Sequence, residues 1–207
     1  MTSFAYTFRS LFLAVFAVAA MSPFVQVQAE GATGRYSESK DGDRRLVIAT
    51  TAAVSGKAVP AQLSFSSGLD HPKENAFGAL AIVLTIADPS ALKSFHFDDF
   101  EGPDSAIGGR KLMHFRILAS GKATAIDVVP SGSYVDVQGK ETFAFEASEL
   151  AAKRRSAERQ VIEALGAGAE TLEISVSDSR DKQLAIVVKL PVAAEREHFK
   201  ALLTTGR

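Results

Sequence analysis

The chain of 207 residues contains no cysteine. That absence excludes disulfides, thiolate metal ligands, a cysteine nucleophile and the cysteine-based anchor of a lipoprotein. Beyond the N-terminal leader described below, no apolar run reaches the roughly 20 residues needed to span a bilayer. The longest, residues 79–87 (ALAIVLTIA), has the length of a buried strand and is expected to be covered on both faces. Neither sign of charge dominates, with 23 basic and 24 acidic residues. The balance gives no electrostatic case for nucleic acid or for an anionic membrane surface as partner. The G-x-S-x-G and H-E-x-x-H patterns are missing as well. Gly166-Ala167-Gly168 lacks the third glycine of a dinucleotide loop and leads into a strand pattern, so it reads as a helix stop and no cofactor is expected.

What the chain does have is an export leader. Arg9 is the sole charge in the first ten residues, residues 11–20 (LFLAVFAVAA) are unbroken apolar, and Ser22 and Pro23 end any helix there. Val27-Gln28-Ala29 then places small or modest side chains at −3 and −1 of a cut before Glu30. A basic start, a short apolar stretch and an A-x-A-like site together define a secretory signal. The apolar stretch is about half a membrane span, which separates a cleaved leader from an anchor. Residues 1–29 are therefore expected to be removed and the remainder to be periplasmic or secreted. Removing 29 of 207 residues leaves 178, enough for one domain with a proper core. Arg9 leaves with the leader, so 22 basic residues face 24 acidic ones and the mature charge is −2.

Residues 30–44 are polar and rich in glycine, serine and charge, which predicts a flexible lead-in. A single β-rich domain is expected over residues 45–207. Short segments at 45–52, 61–67, 79–87, 111–118, 124–129, 134–138 and 142–146 read as strands separated by turn residues. Phe95, Phe97 and Phe100 read as the apolar positions of a further extended piece, after one helical turn over residues 90–94. The last third predicts a helix over residues 148–165 with Ser148 as N-cap, then a hairpin. In that hairpin Leu172, Ile174 and Val176 alternate with polar neighbours, as do Leu184, Ile186, Val188 and Leu190. Pro191 is placed in the first turn of a closing helix carrying Phe199, Leu202 and Leu203 on one face. The class this implies is α+β, β-rich: an antiparallel sandwich or open barrel with one amphipathic helix and a short C-terminal helix.

The order helix (SAERQVIEALGAG), hairpin (LEISVSDS, LAIVVKLP) and short helix (VAAEREHFKALL) resembles the end of the invasion-associated locus B family of exported bacterial proteins. The resemblance covers a quarter to a third of the chain and lies in hydrophobic pattern more than identities. It implies a small periplasmic or surface β-rich protein without catalytic machinery, so no catalytic residue carries over. The chain departs from that family in having no cysteine and in placing His198 before the aromatic Phe199 of the closing helix.

Three groups of residues could carry chemistry. His96, Asp98, Asp99, Glu101 and Asp104 offer imidazole and hard oxygen ligands in one acidic segment, although the alternate spacing of a calcium loop is missing. His96 and Asp98 would share a face if the segment were a strand. The basic run Lys153, Arg154 and Arg155, with Arg159 one turn on, could meet an acidic partner; the plainer reading is a solvated helix face beside Glu149 and Glu158. Glu195 and His198 have the i, i+3 spacing of a di-iron half-site but no second copy, and read as exposed side chains. The remaining histidines, His71 and His114, have no motif around them. The expectation is a non-enzymatic envelope protein that binds a protein partner or a small apolar ligand. An exported hydrolase and a periplasmic metal-binding protein are the alternatives.

Overall fold

A computed structural model describes residues 34–40, 42–68, 79–102, 105–137, 139–148 and 156–204. The leader and its cut site, His71, Asp104, Lys153, Arg154 and Arg155 lie outside the described residues. The strands are β1 (Gly34–Glu38), β2 (Arg44–Val54), β3 (Lys57–Gly68), β4 (Ala79–Ile86) and β5 (Met113–Ala119). They continue as β6 (Lys122–Val128), β7 (Ser131–Val137), β8 (Lys140–Ser148), β9 (Thr171–Ser177) and β10 (Ala185–Pro191). The helices are α1 (Ala157–Gly166) and α2 (Arg196–Leu203), with 3-10 turns at Pro89–Leu92, Phe97–Phe100 and Ala193–Glu195. The β-rich α+β class expected from the sequence is what the structure shows.

All named strands belong to one antiparallel sheet in the order β6-β5-β9-β10-β2-β3-β4-β8-β7, with β1 added on β2. Its two outermost strands, β6 and β7, are consecutive in the chain, joined only by Val129 and Pro130. A flat path of nine strands would hold its outer members about 38 Å apart at about 4.8 Å per strand. Three Cα steps from Val128 to Ser131 reach at most about 11 Å. The sheet must curl until its edges meet at that corner, and it forms a half-barrel.

Alternation explains which face turns inward. Leu46 pairs with Phe65, Phe65 with Ile82, and Ile82 with Ala147, all of them buried. Farther along the sheet Phe115 pairs with Ile174, and Ile174 with Val188, again all buried. On α2, Phe199 meets Phe65 edge to face at 5.0 Å, so the helix sits in the concavity. There α1 packs beside it with Val161, Ile162 and Leu165 buried. Burying a row of such side chains stabilises each by about 1.5–3 kcal/mol, the term that must replace disulfides in this chain.

Several expectations change. Residues 34–38 of the lead-in are not mobile but form β1, registered on β2 from Gly34↔Ile48 to Glu38↔Arg44. The strand at residues 79–87 is covered on one face only: Leu80, Ile82, Leu84 and Ile86 are buried, whereas Ala81, Val83 and Thr85 are half-buried. Strand β3 begins four residues earlier than expected, because Ser55 and Gly56 close a two-residue hairpin at φ 47° and 79°. Pro60 is tolerated inside β3 because pairing to β4 starts only at Ala61↔Ile86; the Pro60 carbonyl still accepts from Ala87 N at 3.0 Å. Ser148 ends β8, and the N-cap of the described helix is Ser156, which accepts from Arg159 N at 3.0 Å. Pro191 is the last residue of β10, paired with Thr171, rather than part of the closing helix.

Candidate functional site

The segment between β4 and β5 does not extend as a strand. Asp88 caps the first 3-10 turn by accepting from Ala91 N, and Phe97–Phe100 forms a second such turn with His96 as N-cap. The spacing of Phe95, Phe97 and Phe100 then serves anchoring. Their rings pack on inward-facing Phe143 and Phe145 of β8 with centroids 4.8–5.8 Å apart. Close approach also requires a glycine on β7, because a Cβ on Gly132 would lie 2.6 Å from the Phe143 ring. With the phenylalanines buried, the residues between them are held in place, His96 and Asp98 toward the surface and Asp99 beneath it.

Those residues meet the β9–β10 turn. Asp178, with a side chain 0% exposed, accepts from His96 N at 2.7 Å and from Arg180 N and Asp181 N at 2.8 and 2.9 Å. His96 Nδ1 lies 3.1 Å from both carboxylate oxygens. Burial would raise the Asp178 pKa, but the backbone N–H groups of His96, Asp181 and Arg180 and the His96 ring outweigh it and keep the group below the ordinary carboxylate value. An ionised carboxylate only accepts, so Nδ1 donates to it and Nε2 is the ring nitrogen left without that bond. The His96 side chain is 40% exposed.

Asp99 makes the second tie. It accepts from Arg180 Nε at 2.7 Å, from Arg180 Nη2 at 2.5 Å and from the Ser179 hydroxyl. The Arg180 guanidinium and then the Ser179 hydroxyl hold its pKa down at about 2. A carboxylate whose folded value lies below its unfolded one stabilises the fold above about pH 4 and loses that contribution as the pH falls through about 2. We therefore expect acid unfolding between about pH 4 and 2 to be shallower in Asp99→Asn than in the wild type, measured by circular dichroism. An unchanged acid limb would show that the pair is idle.

Between these ties opens a cleft of about 350 Å³, lined by Leu92, Phe95 and Phe97 and by Lys93, His96, Asp98, Tyr134, Glu141 and Arg180. Tyr134 donates to Asp98 Oδ1 at 2.8 Å, and burial followed by that bond pushes the phenol up to about 12, so it stays a neutral donor. The nearby serine hydroxyls are engaged by carboxylates, Ser90 with Asp88 at 2.6 Å and Ser179 with Asp99. The cleft thus offers an imidazole and its orienting carboxylate, but among the described residues no serine donates to the imidazole.

The acidic segment is split among separate partners: His96 on Asp178, Asp98 on Tyr134, Asp99 on Arg180, and Glu101 exposed in a bridge to Gly132. Among the described residues no group of three or more His, Asp or Glu side chains is placed to hold a metal. Arg159 is buried rather than displayed on a solvated helix face. The His114 ring pairs with Asp127 across β5 and β6 at 2.8 Å. Contrary to its reading as an exposed side chain, Glu195 is buried, accepting from Gly34 N and facing His198 Nδ1, each at 2.8 Å. All three described histidines therefore face a carboxylate through Nδ1, and His96 alone of them lines the cleft. Sequence reasoning missed Asp178, Arg180, Tyr134 and Glu141; the Asp-Ser-Arg-Asp turn of the β9–β10 hairpin was a visible signal for the first two, and Tyr134 and Glu141 had none.

No family model, curated protein or solved structure matches the chain. Among the described residues no helix is long and apolar enough to cross a membrane.

Proposed function

We propose that this is an exported, non-enzymatic envelope protein, periplasmic or secreted, that binds a small polar ligand in the cleft beside His96. The observation that carries the reading is the oriented imidazole. A buried carboxylate fixed by three backbone N–H groups holds His96 in the wall of a ligand-sized cleft, and among the described residues no serine is placed on it. The leader in residues 1–29 supports export. The order α1, β9, β10, α2 is consistent with the resemblance to invasion-associated locus B proteins. A polar ligand replaces the apolar one expected earlier, because the concavity of the sheet is filled by helices and phenylalanines, whereas the cleft is lined by six ionisable side chains.

Two measurements on one preparation test this. Full-length protein expressed in a Gram-negative host is expected in the osmotic-shock fluid with Glu30 as its first residue. Protein that stays in the cytoplasm beginning at Met1 would refute export. A low-mass periplasmic extract added to the ¹⁵N-labelled product is expected to shift amides at residues 89–98, 134, 141 and 180 while the extract's composition stays constant. Shifts scattered over the sheet would refute the cleft, and consumption of an extract component would refute a non-enzymatic role.

A further inference from the structure

The charges lining the cleft are not equally available. Asp98 is engaged by Tyr134, and Arg180 gives two nitrogens to Asp99. The side chains of Lys93 and Glu141 have no hydrogen-bond or ion-pair partner among the described residues, although both line the same cleft. They come from different walls: Lys93 closes the first 3-10 turn, and Glu141 stands near the start of β8. Two opposite charges thus share a small space without neutralising each other. The apolar Leu92 and Phe97 and the His96 side chain line the same cleft. A volume of about 350 Å³ is at the small end of ligand sites, which commonly span about 300–1,000 Å³, and it suits a small molecule.

Resting on the binding role proposed above, we infer that the cleft takes a zwitterion of amino-acid to dipeptide size. Its carboxylate pairs with Lys93, its ammonium with Glu141, and its short side chain covers Phe97. The physical reason lies in the ligand bringing both charges together. A single exposed ion pair contributes about 0–1 kcal/mol, too little to hold a simple anion or cation. Two pairs formed at once, with an apolar contact beside them, share one loss of translational freedom.

The test is an NMR titration of the ¹⁵N-labelled exported protein with L-alanyl-L-alanine, its N-acetyl form, its C-terminal amide and 1-butanol. Saturable shifts at the cleft are expected with the free dipeptide, with at least tenfold weaker binding of each blocked form and of butanol. In Lys93→Gln the amide should bind as well as the dipeptide, and in Glu141→Gln the N-acetyl form should. Both positions are exposed, so these variants are expected to fold as the wild type does. Equal affinity of blocked and free dipeptides, or a ranking unmoved by either substitution, would overturn the zwitterion assignment. If none of the probes shifts the cleft amides the assignment also falls. In that event a response to the periplasmic extract would keep the binding reading alive, and a silent extract would end both.

Discussion

Asp178→Ala is expected to lower the unfolding free energy by about 3–5 kcal/mol, because it strips a buried common acceptor from several part-buried donors. The carboxylate bridges two stretches of chain 82 residues apart, at His96 and in the β9–β10 turn. It serves the backbone N–H groups of His96, Arg180 and Asp181 as well as the His96 ring. Each donor left without a partner costs about 1–3 kcal/mol where water cannot replace the lost oxygen. Asp178→Asn keeps the shape but turns one acceptor into a donor, so roughly half the loss is expected. His96→Ala should cost less than either, since that ring is 40% exposed while the carboxylate is fully covered. Urea unfolding at neutral pH measures the order. The account also requires the His96 amide resonance to move in Asp178→Asn before global unfolding. A loss below about 1 kcal/mol in Asp178→Ala would mean that water substitutes for the carboxylate and the turn is not braced by it.

Much of the sheet was legible in the sequence, and its failures have local causes. The β9–β10 hairpin was readable because Leu172, Ile174 and Val176 face Leu190, Val188 and Ile186 in strict alternation. The β2–β3 hairpin was not, because Pro60 looks like a strand breaker until one sees that β4 stops beside it. Strand order was beyond reach for a different reason. Pairing β9 with β5 and β10 with β2 joins distant segments, and nothing in either pattern names its neighbour. Half of the site was visible as the run from Phe95 to Glu101, but the spacing was ambiguous between a strand and an anchored turn. The other half, Asp178 and Arg180, read as ordinary hairpin-turn residues, since a buried acceptor and a solvated turn aspartate look the same in one dimension. Glu195 illustrates the same limit: its role depends on the amide of Gly34, 161 residues away.

Phe145→Ala is the companion experiment, and it should cost about 3–5 kcal/mol, the usual range for emptying a phenylalanine site in a core. Phe145 is fully buried and meets Phe143 at 4.8 Å, Phe100 at 5.1 Å, Phe97 at 5.7 Å and Phe95 at 5.8 Å. The cavity has little means of closing. Its floor is a sheet held by ladders on both sides, and the residue across on β7 is Gly132, which has no side chain to move in. The consequence reaches the cleft because Phe97 and Phe100 carry Asp98 and Asp99 between them. With Phe145 gone, the 3-10 turn keeps its ties to Tyr134 and Arg180 but loses the ring it rests on. Binding should therefore weaken more in Phe145→Ala than in Phe115→Ala, whose ring is equally buried but lies on β5, away from the cleft. Denaturant unfolding supplies the stability arm, and titration with L-alanyl-L-alanine below the unfolding transition supplies the binding arm. Equal loss of binding in the two variants would assign the effect to global stability. A larger loss in Phe145→Ala would show that the phenylalanine cluster, rather than the sheet in general, sets the geometry of the cleft.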